Sequence, residues 1–174
     1  MHTLIKKIHK HDVAILTIIN NSMKCKTLDL IMTPITYLGS TIFSILFTLI
    51  AIVHPNKTVH SLGIKVLFTL SVSSFISKII KESVNRIRPF IKISNLNIKK
   101  LGIDEYSFPS GHTTAAFSMA VTTSLFYPNV AAAVIFLASC VGISRIYIGV
   151  HYPTDVLAGT FIGSATSYII FHII

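Results

Sequence analysis

The feature that most constrains this chain is the length of its charge-free stretches. No Lys, Arg, Asp or Glu occurs between Asp29 and Lys57, between Glu105 and Arg145, or after Asp155. Such stretches are costly to keep in water and long enough to span hydrocarbon. The competing reading is a soluble all-helical domain with a greasy core. Composition argues against it: only 12% of the 174 residues are charged, against about 25% in an ordinary soluble domain. Mean hydropathy is +0.71. The expected fold is all-α, a polytopic transmembrane bundle of five to six membrane helices with an N-terminal amphipathic helix, forming one domain over 1–174.

Residues 5–20 mix apolar side chains with Lys, His and Asp at helical spacing, the pattern of an interfacial anchor. The apolar run from Leu28 to Val53 is interrupted by Pro34 and by Gly39-Ser40, which predicts a short helix and then a span over 41–53. After a turn at His54-Pro55-Asn56-Lys57, a second span is expected over 59–80, with Lys65 near enough to its end to snorkel. A polar connection over 88–108 contains Pro89, Asn95, Asn97 and Lys99-Lys100. Three further spans are expected over 112–127, 129–146 and 153–173. In the last, the i, i+4 pair Gly159 and Gly163 predicts close approach of a neighbouring helix. Because crossings alternate, Lys81, His112, Arg145 and His151 should all fall on one membrane face.

The formal net charge of +9 raises the question of nucleic acid. The basic residues instead sit at the ends of apolar runs or inside motifs, which suits membrane lipids or a phosphate substrate and no nucleic-acid partner. Cys25 and Cys140 make no disulfide framework and read as structural. The first ten residues are basic, but no small-residue cleavage site follows, so a removable signal peptide is not expected. Oligomeric state is not legible.

Three segments carry chemistry. In Lys81-Glu82-Ser83-Val84-Asn85-Arg86-Ile87-Arg88-Pro89, Lys81 and Arg88 are two helical turns apart and would share a face if the helix extended that far. Pro89 would help to stop it. Arg offers phosphate a planar fork of donors and Lys a point charge. Lys78, Arg86 and Lys92 read as ordinary headgroup anchors. In Pro109-Ser110-Gly111-His112, the Ser can cap a helix whose free first-turn N–H groups attract anions, and Gly111 clears the backbone for phosphate. In Ser144-Arg145-x5-His151-x3-Asp155, Pro153 suits the first turn of the last span and puts His151 and Asp155 on one side of it. A carboxylate on one ring nitrogen leaves the other free as a nucleophile. The remaining histidines, including His2, His9, His11, His54, His60 and His172, are expected to have bland roles.

These residues and their spacing resemble the type 2 phosphatidic acid phosphatase family, lipid phosphatases related in fold to vanadium-dependent haloperoxidases. Its pattern of K-x6-RP, PSGH and SR-x5-H-x3-D is matched at every fixed position between Lys81 and Asp155. Nothing in the first forty residues is diagnostic. The resemblance implies that Lys81, Arg88 and Arg145 bind the phosphoryl group with Ser110 and the Gly111 amide. It implies that His151 attacks phosphorus to form a phospho-histidine, Asp155 orients it, and His112 protonates the leaving oxygen and then activates water. It also implies a metal-independent reaction with no cofactor. The short bacterial members suggest undecaprenyl pyrophosphate as substrate, cleaved at the outer face of the cell membrane. Phosphatidylglycerophosphate or phosphatidic acid is the alternative. A vanadate-dependent peroxidase, or a membrane protein without catalysis, is the more distant one.

Overall fold

The computed structural model describes residues 2–98 and 105–174, so Lys99 and Lys100 of the expected polar connection lie outside the described residues. Helix α1, His2–Thr17, runs into one π-helical turn, Ile18–Ser22. Its buried face carries Leu16, which packs on Leu96, Ile146 and Tyr152 at one end of the bundle. Lys6, Lys7 and Lys10 are exposed. The amphipathic pattern is therefore real, and its inner face is committed to the protein.

Helix α2, Lys26–Tyr37, and helix α3, Thr41–Val53, meet at a bend of 54°. Pro34 is accommodated inside α2, and the chain breaks at Gly39 instead. A Cβ on Gly39 would lie 2.5 Å from the His112 carbonyl oxygen, so only glycine allows this approach. Ser40 then restarts the helix, its hydroxyl accepting from the Phe43 N–H at 3.2 Å. Helix α4, Lys57–Val84, begins on the Asn56 side chain, which accepts from the Thr58 and Val59 N–H groups. It stops at Asn85, whose φ of 48° is the left-handed cap that Asn tolerates. It does not reach Arg88. Lys81 and Arg88 thus do not share a helix face, and Pro89 starts the short α5, Pro89–Lys92, rather than ending α4.

Helix α6, Gly111–Phe126, is the central element, packed by α4, α8 and α7, Ala131–Tyr147. A 3₁₀ turn, Pro128–Val130, joins α6 to α7. Helix α8, Pro153–Ile173, brings Gly159 and Gly163 against α6. Added Cβ atoms there would sit 2.7 Å from the Ser110 oxygen and 2.5 Å from the Thr114 oxygen. The expected close approach is therefore made, and hydroxyls fill the seam. Ser167 Oγ donates to the Ser118 carbonyl at 2.9 Å, and Ser73 Oγ pairs with Ser118 Oγ at 3.0 Å. Lys65 does not reach out to headgroups: its ammonium donates to the Phe171 carbonyl at 2.7 Å, closing the C-terminal end of α8.

The described residues form no strand, and Ile50, Phe75, Phe136, Leu157 and Phe161 are exposed as an apolar belt. Residues Lys57–Val84, Pro128–Tyr147 and Pro153–Ile173 are long and apolar enough to cross a bilayer, and the bent pair α2–α3 makes a fourth. Helix α6 has 16 residues, below the ~20 that hydrocarbon demands of a lone helix. The protein is an all-helical membrane bundle in which length and composition support three or four crossings, and a count of five to six needs shorter helices such as α6 to cross as well.

Candidate active site

The site gathers at the end of the bundle where α4 and α7 stop and α6 and α8 start. Beyond Asn85 the chain is extended, and Ile87 forms an antiparallel bridge with Tyr106. Ser107 N–H donates to the Arg86 carbonyl at 2.7 Å, and Arg88 N–H donates to the Glu105 carbonyl at 3.1 Å. Extended backbone turns residues two apart to the same side, so Arg86 and Arg88 both face inward. Arg88, 3% exposed, places Nη1 3.0 Å from the Val150 carbonyl and 3.0 Å from His151 Nε2.

His151 stands in the turn between α7 and α8. Gly149 reverses the chain with a φ of +80°, and the His151 N–H returns to the Arg145 carbonyl at 3.3 Å. The ring is buried. Burial, reinforced by Arg145 and Arg88, lowers its pKa to about 4 against the opposing pull of Asp155, so the imidazole is neutral at neutral pH. Asp155 Oδ2 accepts the Tyr152 N–H at 2.8 Å and lies 3.6 Å from His151 Nδ1. That separation is longer than a hydrogen bond. The pair is poised and not yet closed.

Arg145 is 3% exposed, and its Nη1 donates to Thr36 Oγ1 of α2 at 2.8 Å. Among the described residues, Arg145 Nε and His151 Nδ1 are buried without a hydrogen-bond partner. An unmet buried donor costs about 1–3 kcal/mol, and an anion between the arginines would meet it. Ser110 caps α6 as expected, its Oγ accepting from Thr113 Oγ1 at 2.9 Å, and its N–H donates to the Asp155 carbonyl at 3.0 Å. Gly111 has open space where a Cβ would stand. Lys81, Ser77, Pro109 and Gly111 line a cavity of about 260 Å³, and Gly111 with His112 opens onto a second of about 500 Å³. His112 lies in the field of Arg145, His151, Arg88 and Lys81. All eight residues singled out in the sequence therefore converge on one end of the molecule.

The sequence reading missed the supports. Arg86 is no headgroup anchor: its Nη1 donates to Asp155 Oδ1 at 2.6 Å and to Thr154 Oγ1 at 2.7 Å. Its Nη2 reaches Asp12 Oδ2 at 2.7 Å, and its plane sits 4.0 Å from the Tyr152 ring centroid. Nor are the first forty residues idle, since Asp12, Asn20 and Thr36 all touch this end. Asn20 donates to the Tyr147 carbonyl at 2.7 Å and accepts the Asn97 N–H at 2.8 Å, tying Asn97 to the end of α7. One signal was legible: Asp12 is the sole carboxylate before Asp29.

Comparison with known proteins bears on this geometry. The sequence profile described as the PAP2 superfamily matches residues 62–174. The bacitracin transport permease protein BcrC of Bacillus licheniformis is 38% identical over 101 residues, 58% of this chain and 49% of that one. An undecaprenyl-diphosphatase of Sulfolobus acidocaldarius is 31% identical over 114 residues, 65% of this chain and 55% of that one. The matched part thus spans about half the length of these curated relatives. Phosphatidylglycerophosphatase B of Bacillus subtilis is 31% identical over 153 residues, covering 78% of this chain and 70% of that protein. The crystal structure of Aquifex aeolicus LpxE superposes with a TM-score of 0.81 at 27% identity, over 92% of this chain and 94% of that one.

Proposed function

The chain belongs to the PAP2 superfamily, and on that premise we propose that it is an integral membrane phosphatase that hydrolyses a lipid phosphate or pyrophosphate through a phospho-histidine. The observation that carries this reading is a neutral, buried imidazole among arginines with an unmet buried N–H, in the field of which His112 lines a cavity running along α3 and α4. The larger cavity runs from Gly111 and His112 past Ser44 and Thr48 to Leu49 and Ile52. A headgroup at the cations and a tail along α3 and α4 would fill it without moving charge into hydrocarbon.

In the first step the Nε2 lone pair of His151 attacks phosphorus while the bond to the leaving oxygen breaks. His112 supplies the proton to that oxygen. Lys81, Arg88 and Arg145, with Ser110 and the Gly111 amide, hold the equatorial oxygens as charge spreads over them. In the second step His112 takes a proton from water, the water oxygen bonds to phosphorus, and the N–P bond breaks. Asp155 steadies the imidazolium character that develops at Nδ1. The cations stabilise the charge directly, so the mechanism needs no metal.

Undecaprenyl pyrophosphate is the favoured substrate, in line with the Sulfolobus relative named for that activity. Phosphatidylglycerophosphate is the second reading, favoured by the longer match to phosphatidylglycerophosphatase B. We place the site at the outer face of the cell membrane, with α6 as a fifth crossing sheltered by its neighbours. The test is phosphate release by purified protein across defined lipids: undecaprenyl pyrophosphate, phosphatidylglycerophosphate and phosphatidic acid. Release from at least one is expected. No release from any of them, or equal release by His151→Ala, overturns the reading.

A further inference from the structure

The N-terminal helix reaches the chemistry through one buried carboxylate. Asp12 is 2% exposed. Its Oδ1 accepts the Thr154 N–H at 3.0 Å, and its Oδ2 accepts from Thr154 Oγ1 and from Arg86 Nη2. The other side of the same guanidinium donates to Asp155 Oδ1 at 2.6 Å. The order of charge is therefore carboxylate, guanidinium, carboxylate, imidazole, running from Asp12 through Arg86 and Asp155 to His151. Arg86 is held on both sides, and Asp155 is held by Arg86 and the Tyr152 N–H with His151 Nδ1 3.6 Å away. An anchoring helix has no need to bury an acid, and burying one without a cation would be costly.

We propose that Asp12 is a positioning residue for the His151–Asp155 pair, acting through Arg86 and Thr154. The inference rests on the proposed role of His151 as the attacking group. The argument is electrostatic and geometric. Asp155 Oδ1 is committed to Arg86 while Oδ2 is the oxygen near His151. With Asp12 present, the charge of Arg86 is shared between two acids, and Asp155 keeps negative character at Oδ2 for the imidazole. With Asp12 neutral, Arg86 turns its whole charge on Asp155 and is free to tilt. Asp12 also holds Thr154, one residue before Asp155, by both its N–H and its hydroxyl. Losing it loosens the first turn of α8, where Asp155 must be fixed to a fraction of an ångström.

The experiment compares steady-state kinetics of Asp12→Asn, Asp12→Glu, Arg86→Gln and the Asp12→Asn/Arg86→Gln double variant with the unaltered protein. Asp12→Asn is expected to lower kcat by ~10- to 100-fold, the usual effect of removing the outer partner of an oriented histidine. KM should stay within about twofold, because Asp12 touches none of Lys81, Arg88 or Arg145. Asp12→Glu should recover part of the loss. The double variant should be no worse than Arg86→Gln alone, because the two act as one unit. Leu16→Ala, one turn on in the same helix and packed on Leu96, Ile146 and Tyr152 without a polar contact to the charge chain, separates support from positioning. It should lower the melting temperature while kcat holds. A fall in kcat for Leu16→Ala matching that of Asp12→Asn, or multiplying losses in the double variant, overturns the inference. Full turnover by Asp12→Asn beside an inactive His151→Ala does the same while leaving the phosphatase reading intact. Near-normal turnover by His151→Ala overturns that reading instead.

Discussion

Arg88 Nη1 lies 3.0 Å from Nε2 of His151, and this contact fixes the tautomer. A guanidinium only donates, so Nε2 is the acceptor and the ring proton sits on Nδ1, toward Asp155. The ring is thus held in the protonation state that the proposed attack requires, with its Nε2 lone pair turned toward Arg88. On the proposed mechanism, a phosphoryl group that draws Arg88 onto its own oxygens would uncover that lone pair as it arrives.

His151→Ala is expected to abolish nearly all turnover, since the proposed covalent intermediate forms on this ring. Asp155→Asn should keep the fold and lose orders of magnitude in kcat, as when a carboxylate orienting a catalytic histidine is neutralised. Phosphate release and circular dichroism on the same preparations check both.

Stability should fall with acid in a defined window. His151 ionises near 6.5 when unfolded and near 4 when folded. Between those values the unfolded chain binds a proton that the folded chain refuses, so stability is full above pH 6.5 and declines as pH falls toward 4. The decline attributable to this ring is about 3 kcal/mol over the interval, at about 1.4 kcal/mol per pH unit. Melting temperatures in detergent should therefore drop more steeply for the unaltered protein than for His151→Gln. Parallel curves would mean that the ring is not held neutral by burial.

Turnover should survive excess chelator, and vanadate or tungstate should inhibit by occupying the space between Arg88 and Arg145. Inhibition should weaken when Arg145 is replaced by Met. Strict dependence on added magnesium in the release assay would point to another chemistry.

Sidedness is checked with single cysteines in a background lacking Cys25 and Cys140. Asn95 and Lys57 are both exposed, and they lie at opposite ends of the bundle. Asn95→Cys should react with an impermeant thiol reagent on intact cells, and Lys57→Cys only after the membrane is breached. The reverse pattern would put the site in the cytoplasm.

The motif residues and most helices were readable because their signals are local: charge-free runs, a Ser before a helix, His and Asp one turn apart. The supports were not, because they are long-range. Asp12 and Arg86 are 74 residues apart, and no spacing rule joins them. The end of α4 was misread because Pro89 is a louder stop signal than Asn85, although Asn is the residue that tolerates a left-handed cap. The extended Arg86–Arg88 segment depends on pairing with Tyr106, across a connection that sequence periodicity does not constrain. The span count was less legible, because α6, 16 residues long and packed among α4, α7 and α8, is short for a lone span.

The seam between α6 and α8 leaves its mark on what this protein can become. Gly159 and Gly163 seat the two helices without a gap, and the Ser110 N–H is tied to the Asp155 carbonyl. The proposed reacting groups and phosphate cradle on α6 and α8 are therefore inherited as one block. The wall at Leu49 and Ile52 belongs to α3, which contributes nothing to that block. A lineage could exchange one lipid for another by drift in α3 while its chemistry stood still, whereas a single methyl group at Gly163 would trouble both.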